Sequence, residues 1–426
     1  MTKKLIWSIV ESVLVFFILI YCYCSILKSI TFHPDEGSWI ATSYYFELFI
    51  KGNTSSNLWD ESVWTKSFSP LPRYLIGIGR SIGGFDVSDL NSPWDFEKDK
   101  NTNINEGRMP SEMLLWWSRL PMAILAALSI FTGYILLRNA NQQLAAYIWV
   151  VLCICSKYLP MMLITAMSDS PLLATTAPLL LVSYKLLRNS TVQKGKPYWQ
   201  LFGLIALYGI IVGLAESSKL NGISPIAAGI ILPFIIAFRN MDQKIVKIRF
   251  VIISSYILIL SSQITFIALN PYIWPDPLYR YGALFGQRLY EIQMQQKAYP
   301  QASIGGVGTW IQIVPNRILH SFATINSQGF LTINLILLLV GLIYLLYKSF
   351  RYLKNVDQNP LSLVILFICI TSAIPPLFTP LDWPRYYLLP VYFSTLVIAV
   401  GLAISLLFGY GSVRKMMIRQ KIVENP

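Results

Sequence analysis

The sequence predicts an all-α polytopic membrane protein, and three features carry that prediction. Apolar residues make up 54% of the chain and charged ones only 13%, far from the balance of a water-soluble domain. Apolar windows close to the roughly 20 residues needed to cross a bilayer begin at about 5, 112, 142, 161, 201, 222, 250, 328, 361 and 386. Basic residues gather in alternate connections between these windows. Together they give about ten spans, within a range of about nine to twelve.

The first apolar run, Leu5 to Leu27, follows Lys3 and Lys4, and Tyr21-Cys22-Tyr23-Cys24 offers no small-residue cleavage site. It therefore stays attached as the first span, with the N-terminus cytoplasmic. The even-numbered connections then carry Arg138; Lys185, Arg188, Lys194 and Lys196; Arg239, Lys244, Lys247 and Arg249; and Lys348, Arg351 and Lys354. Arg414, Lys415, Arg419 and Lys421 fall in a short basic tail, 413–426. The net charge of +13 is thus a topology signal. Nucleic-acid binding is excluded, because it needs a basic patch on one folded face and not cations scattered over short turns.

All five cysteines lie within or at the end of apolar spans, so neither disulfides nor a cysteine-rich zinc site is indicated. Only His33 and His320 could supply imidazole, and they are far apart in sequence. A divalent metal would have to be held mainly by oxygen, and no motif indicates one. The absence of cysteines from the long outer connections favours a bacterial inner membrane.

Two connections are long, about 31–111 and about 270–327, and both fall outside, where function is to be expected. The first contains two stretches expected to lie on the membrane surface, Gly37–Ile50 and Pro72–Arg80. Between Gly83 and Gly107 it turns polar, with Asp86, Asp89, Asp95, Glu97 and Asp99; Lys98 and Lys100 break any calcium-loop spacing, so a solvated loop is expected. Asn53-Thr54-Ser55 is a glycosylation triplet of the kind that also arises by chance. In the second connection, Tyr272, Trp274, Tyr279, Tyr281, Phe285 and Tyr290 read first as an interfacial aromatic belt. Glu11, inside the first span, reads as a polar contact to another helix.

The most informative segment is Phe32-His33-Pro34-Asp35-Glu36-Gly37, which sets two adjacent carboxylates where the first span meets water on the outer side. Either acid can cap the helix that follows, since carboxylates favour helix N-termini. Either can also perform acid–base chemistry at the membrane face.

Further motifs follow in order: Ser69-Pro70-Leu71-Pro72-Arg73-Tyr74, Ser118-Arg119-Leu120-Pro121, Met167-Ser168-Asp169-Ser170-Pro171, Leu214-Ala215-Glu216-Ser217-Ser218-Lys219, Asn270–Pro277 and Pro384-Arg385-Tyr386-Tyr387. With His33-Pro34-Asp35-Glu36, this series resembles the polyprenyl-phosphate-sugar glycosyltransferases of GT-C-type membrane fold, which include protein O-mannosyltransferases and lipid A aminoarabinose transferases. The likeness runs from residue 5 to about 405. The chain ends soon after the last predicted span, without the large soluble C-terminal domain of the better-known members, so the resemblance speaks to the reaction more than to the acceptor.

The resemblance implies one catalytic transmembrane domain over 1–412, an inverting transfer from a polyprenyl-phosphate sugar to an acceptor hydroxyl, and an active site on the periplasmic or other extracytoplasmic face. Asp35 is then the candidate base, and Glu36 a second catalytic candidate or the holder of a neighbouring cation. Arg73, Arg385 and Lys219 become candidates for the donor phosphate, and Asp169, Tyr74 and Trp274 for the sugar or acceptor. Arg385 can equally snorkel at the interface, and Asp169 can equally cap a helix. The lipid carrier supplies the activation, so no cofactor is required. The acceptor is left open between lipid, glycan and protein. A transporter or lipid-linked sugar flippase would share the spans, but such proteins commonly show two related halves and mid-membrane sites. A structural membrane protein without catalysis is the third reading.

Overall fold

In the computed structural model, residues 3–54, 57–61, 63–192, 199–322, 328–377 and 380–424 are described. Ser55 of the glycosylation triplet, together with Lys194 and Lys196, lies outside them.

The architecture is helical throughout these residues. In chain order the main helices are α1 (Lys3–Ser25), α2 (Pro34–Ala41), α3 (Leu71–Ile82), α4 (Glu112–Asn139), α5 (Gln143–Cys155), α6 (Tyr158–Ile164), α7 (Asp169–Thr176) and α8 (Pro178–Val192). They are followed by α9 (Trp199–Ser218), α10 (Ile226–Asn240), α11 (Lys244–Leu269), α12 (Pro277–Ala298), α13 (Val307–Phe322), α14 (Gln328–Leu353), α15 (Leu361–Leu377) and α16 (Leu388–Glu424). Among the described residues, eight segments are long and apolar enough to cross a bilayer. The α5–α6 pair, bent by 71°, makes a ninth if taken as one span, and the shorter apolar α15 matches the remaining predicted window. The chain is thus an integral, multi-pass membrane protein.

One predicted window is corrected. The span expected from about 161 starts instead at Asp169, because the backbone leaves the helix after α6, where Thr165 is extended with ψ 138°. The amide of Ala166 turns to the Glu36 carboxylate, at 2.8 Å, and is satisfied there without a helical carbonyl.

The two stretches expected on the membrane surface also differ in their surroundings. The segment 37–50 bends through α2, a 3-10 turn at Thr42–Tyr44 and a short helix at Tyr45–Ile50, with Trp39, Ile40 and Tyr45 buried in protein. Helix α3 packs closely against α4. Gly79 makes this approach possible, since a Cβ there would fall on the Trp117 carbonyl and the Pro121 ring. Apolar patterning registers only that a face is buried, not whether lipid or protein covers it.

The polar loop 83–107 is largely exposed, as expected, but it is also folded onto α2. Asn91 Nδ2 donates to the carbonyls of Gly37 and Arg108, both at 2.9 Å, and Trp94 packs on Phe32. The buried Asn103 amide braces the loop through Asp95, Lys98 and Asp99 carbonyls. Helix α12 is tied to the bundle by Tyr281, whose hydroxyl donates to the buried Glu216 carboxylate of α9 at 2.8 Å. Glu11 is a contact between helices, accepting from Tyr134, Arg138 and Tyr147 of α4 and α5.

Candidate active site

Counting crossings from α1, the segments after α1, before α7, after α9 and before α16 all emerge at the same end of the bundle. The two long connections share that end. Four charged side chains meet there.

Asp35 is placed by a capping box. His33 sits in extended backbone and caps α2, accepting the Asp35 amide on Nδ1 at 3.2 Å, while Glu36 reaches back to the His33 amide at 3.0 Å. Pro34 occupies the first helical turn, where no amide is needed. This turn holds the two acids in opposite directions. Asp35 keeps 28% of its side-chain surface exposed and pairs with Arg385, and its Oδ2 stands 4.0 Å from His33 Nδ1.

Glu36 points inward and is fully buried. Arg119 of α4 grips it with two nitrogens, Nε at 2.7 Å and Nη2 at 2.6 Å, and Ala166 N–H completes its shell. The same guanidinium donates to the carbonyls of Leu27, Ile30 and Thr31, closing the turn between α1 and α2. Of the roles open to Glu36, the geometry matches the holder of a neighbouring cation.

Asp169 heads α7 and is 1% exposed. Lys219, just after α9, donates to its Oδ1 at 3.2 Å. Arg385 Nε faces its Oδ2 at 3.6 Å, too long for a hydrogen bond, and neither of these two atoms has a hydrogen-bond partner. Arg385 is therefore shared between two carboxylates, Asp35 and Asp169, while Lys219 Nζ also lies 5.3 Å over the Tyr386 ring. The close approach of the turn carrying Lys219 depends on Gly222, whose added Cβ would overlap the Ala215 carbonyl.

The other predicted residues are held elsewhere. Arg73 is 1% exposed, hydrogen-bonds Thr42 Oγ1 at 3.1 Å and lies over the rings of Trp39 and Tyr45 at 4.9 and 5.6 Å. Burial pushes its guanidinium down to about 10, against the pull of the neighbouring tyrosines. Tyr74 stacks on Phe49 and donates to the Leu269 carbonyl at 2.9 Å, joining α3 to the end of α11. Trp274 donates to the Ile267 carbonyl at 2.6 Å and is 42% exposed. The structure thus brings together Asp35, Asp169, Lys219 and Arg385, and gives Arg73, Tyr74 and Trp274 contacts of their own.

Two site residues were not singled out from sequence. Arg119 had a signal, since an ionisable group inside an apolar span calls for a partner. Arg288 of α12, which donates to Tyr386 at 3.1 Å, had none, being one of four charged residues spread along that helix. Among the described residues, no group of three or more His, Cys, Asp and Glu side chains is gathered as a metal site would need.

No family model matches the chain, and no curated protein matches it in sequence. Solved structures do match. The crystal structure of ArnT from Cupriavidus metallidurans bound to undecaprenyl phosphate aligns with a TM-score of 0.50 at 14% identity, over 95% of this chain and 60% of that one. The chain has the GT-C-type fold. It spans about 60% of the length of ArnT. The archaeal oligosaccharyltransferase AglB from Archaeoglobus fulgidus, in complex with an inhibitory peptide and a dolichol-phosphate, aligns with a TM-score of 0.46 at 15% identity, over 94% of this chain and 52% of that one.

Proposed function

We propose that the chain is an inverting glycosyltransferase that moves a sugar from a polyprenyl-phosphate carrier to an acceptor hydroxyl at the extracytoplasmic membrane face. The observation that carries this reading is the sharing of Arg385 between Asp35 and Asp169, with Lys219 beside them. The ArnT structure, which supplies the fold, has undecaprenyl phosphate bound, and the basic connections at the opposite end support a site on the outer face.

The transfer breaks the bond between the anomeric carbon and a phosphate oxygen while the acceptor oxygen bonds to the opposite face of that carbon. The acceptor proton passes to Asp35, and the bonding pair leaves on the polyprenyl phosphate. Arg385 and Lys219 offset the charge growing on that phosphate. Glu36, clamped by Arg119, positions the turn that presents Asp35. Asp169 orients the two cations and meets the sugar or acceptor. No cofactor enters the scheme.

Without substrate, Arg385 masks the base. A donor phosphate competes with Asp35 for the same guanidinium, and the loose contact to Asp169 leaves Arg385 room to turn toward it. Binding of the donor therefore releases the carboxylate that the next step uses. Carbodiimide labelling of Asp35, read by mass spectrometry of the purified protein, should rise several-fold on adding undecaprenyl phosphate. Labelling that does not change while the lipid is bound would refute this exchange.

The whole reading is tested by incubating the purified protein with a panel of radiolabelled polyprenyl-phosphate sugars and following transfer or hydrolysis. Turnover of at least one donor is expected. A protein that binds these lipids but moves them between leaflets of a vesicle without cleaving them would instead be a flippase.

A further inference from the structure

Beyond the four charged residues, the same end of the bundle carries a second surface of different chemistry. Arg288 donates through one nitrogen to Tyr386 Oη and through another to Glu291 Oε2, both at 3.1 Å. One turn further along α12, Gln295 shares the face of Glu291. The remaining oxygens, Glu291 Oε1 and Gln295 Oε1, are both buried and have no hydrogen-bond partner. Buried acceptors are rarely left so. Two of them one turn apart ask for a ligand that brings donors.

An aromatic wall adjoins Arg288 through Tyr386. Trp383 stacks on Tyr386 with ring centres 5.7 Å apart and planes at 21°, and meets Tyr299 edge-on. Backbone pairing fixes this wall next to the end of α12, with Ile304 N–H donating to Pro380 and Asp382 N–H to Ala302. Trp383 is half-buried, so part of its surface remains available. Acceptor oxygens, a fixed guanidinium and a broad aromatic face together match a pyranose ring, whose hydroxyls donate and whose C–H face packs on aromatic rings.

We infer that Arg288, Glu291 and Gln295 on α12, faced by Trp383, form a saccharide subsite adjoining the Lys219 side of the catalytic cluster. This rests in part on the proposed transfer of a sugar, because the ring held there belongs either to the donor or to a carbohydrate acceptor. The tie from Lys219 through Tyr386 to Arg288 makes the two surfaces continuous.

The test is saturation-transfer difference NMR on the full chain in a detergent without a sugar headgroup, with methyl glycosides of mannose, glucose, galactose, N-acetylglucosamine and arabinose as probes. At least one glycoside should show transfer to its ring protons. That signal should fall at least tenfold in Trp383→Ala and in the double variant Glu291→Ala/Gln295→Leu, and persist in Trp383→Phe, with thermal midpoints confirming that each variant is folded. Silence from every glycoside, or a signal that survives both variants, overturns the subsite. Undecaprenyl phosphate binding, measured in the same samples, separates the two readings: wild-type protein that binds glycoside but not the lipid keeps the subsite and loses the proposed donor. Altered preference among polyprenyl-phosphate sugars in Glu291→Ala places the donor's sugar there. Unchanged donor hydrolysis with reduced transfer places the acceptor there.

Discussion

Asp35→Asn is expected to reduce sugar transfer by about 100- to 10,000-fold, the range associated with loss of a general base, while leaving the protein folded. Asparagine keeps the size of the side chain and one oxygen to accept from Arg385, so the contact is weakened without creating a cavity. Asp35 is also partly exposed, and no buried charge is stranded by the change. The measurement is turnover of the donor identified by the panel, paired with a thermal midpoint for the same preparation. Loss of turnover with a midpoint within a few degrees of wild type is the expected signature. Wild-type turnover in the variant would remove Asp35 as base and point to Asp169, which faces the same cations.

Much of this arrangement was legible because membrane topology turns sequence order into position. Asp35, Asp169, Lys219 and Arg385 are separated by long stretches of chain, yet each stands at the same end of a span. Counting crossings therefore assembles them before any contact is known. What crossing parity does not supply is direction. His33-Pro34-Asp35-Glu36 shows two acids of equal promise, and only the folded turn sends one toward Arg385 and the other into the core. The surroundings of Arg73 were not legible for a related reason. Its position after two prolines marks the start of an outer helix correctly, but the aromatic cage of Trp39 and Tyr45 comes from a segment whose bend the apolar pattern does not encode. The false start of the fourth span has the same origin, since hydropathy runs unbroken past Thr165 while the Ala166 amide is drawn away by Glu36.

Glu36 should respond to mutation in the opposite way from its neighbour. Its carboxylate and the Arg119 guanidinium are both essentially out of solvent, at 0% and 2% side-chain exposure. Removing one partner leaves the other as a buried, unpaired charge, at a cost of about 3–5 kcal/mol. Glu36→Ala and Arg119→Leu are each expected to lower stability by this amount, measured by thermal unfolding in detergent. The double variant Glu36→Leu/Arg119→Leu should recover part of the loss, because no charge is then stranded. It should not recover all of it, since the carbonyls of Leu27, Ile30 and Thr31 and the amide of Ala166 lose their partners in either case. Additive losses in the double variant would show that the two side chains are not coupled. Activity should fall in both single variants as well, because the clamp fixes the α1–α2 turn that aims Asp35. The pair of neighbouring acids is then separated by phenotype: one change silences a stable protein, and the other weakens the frame on which the chemistry depends.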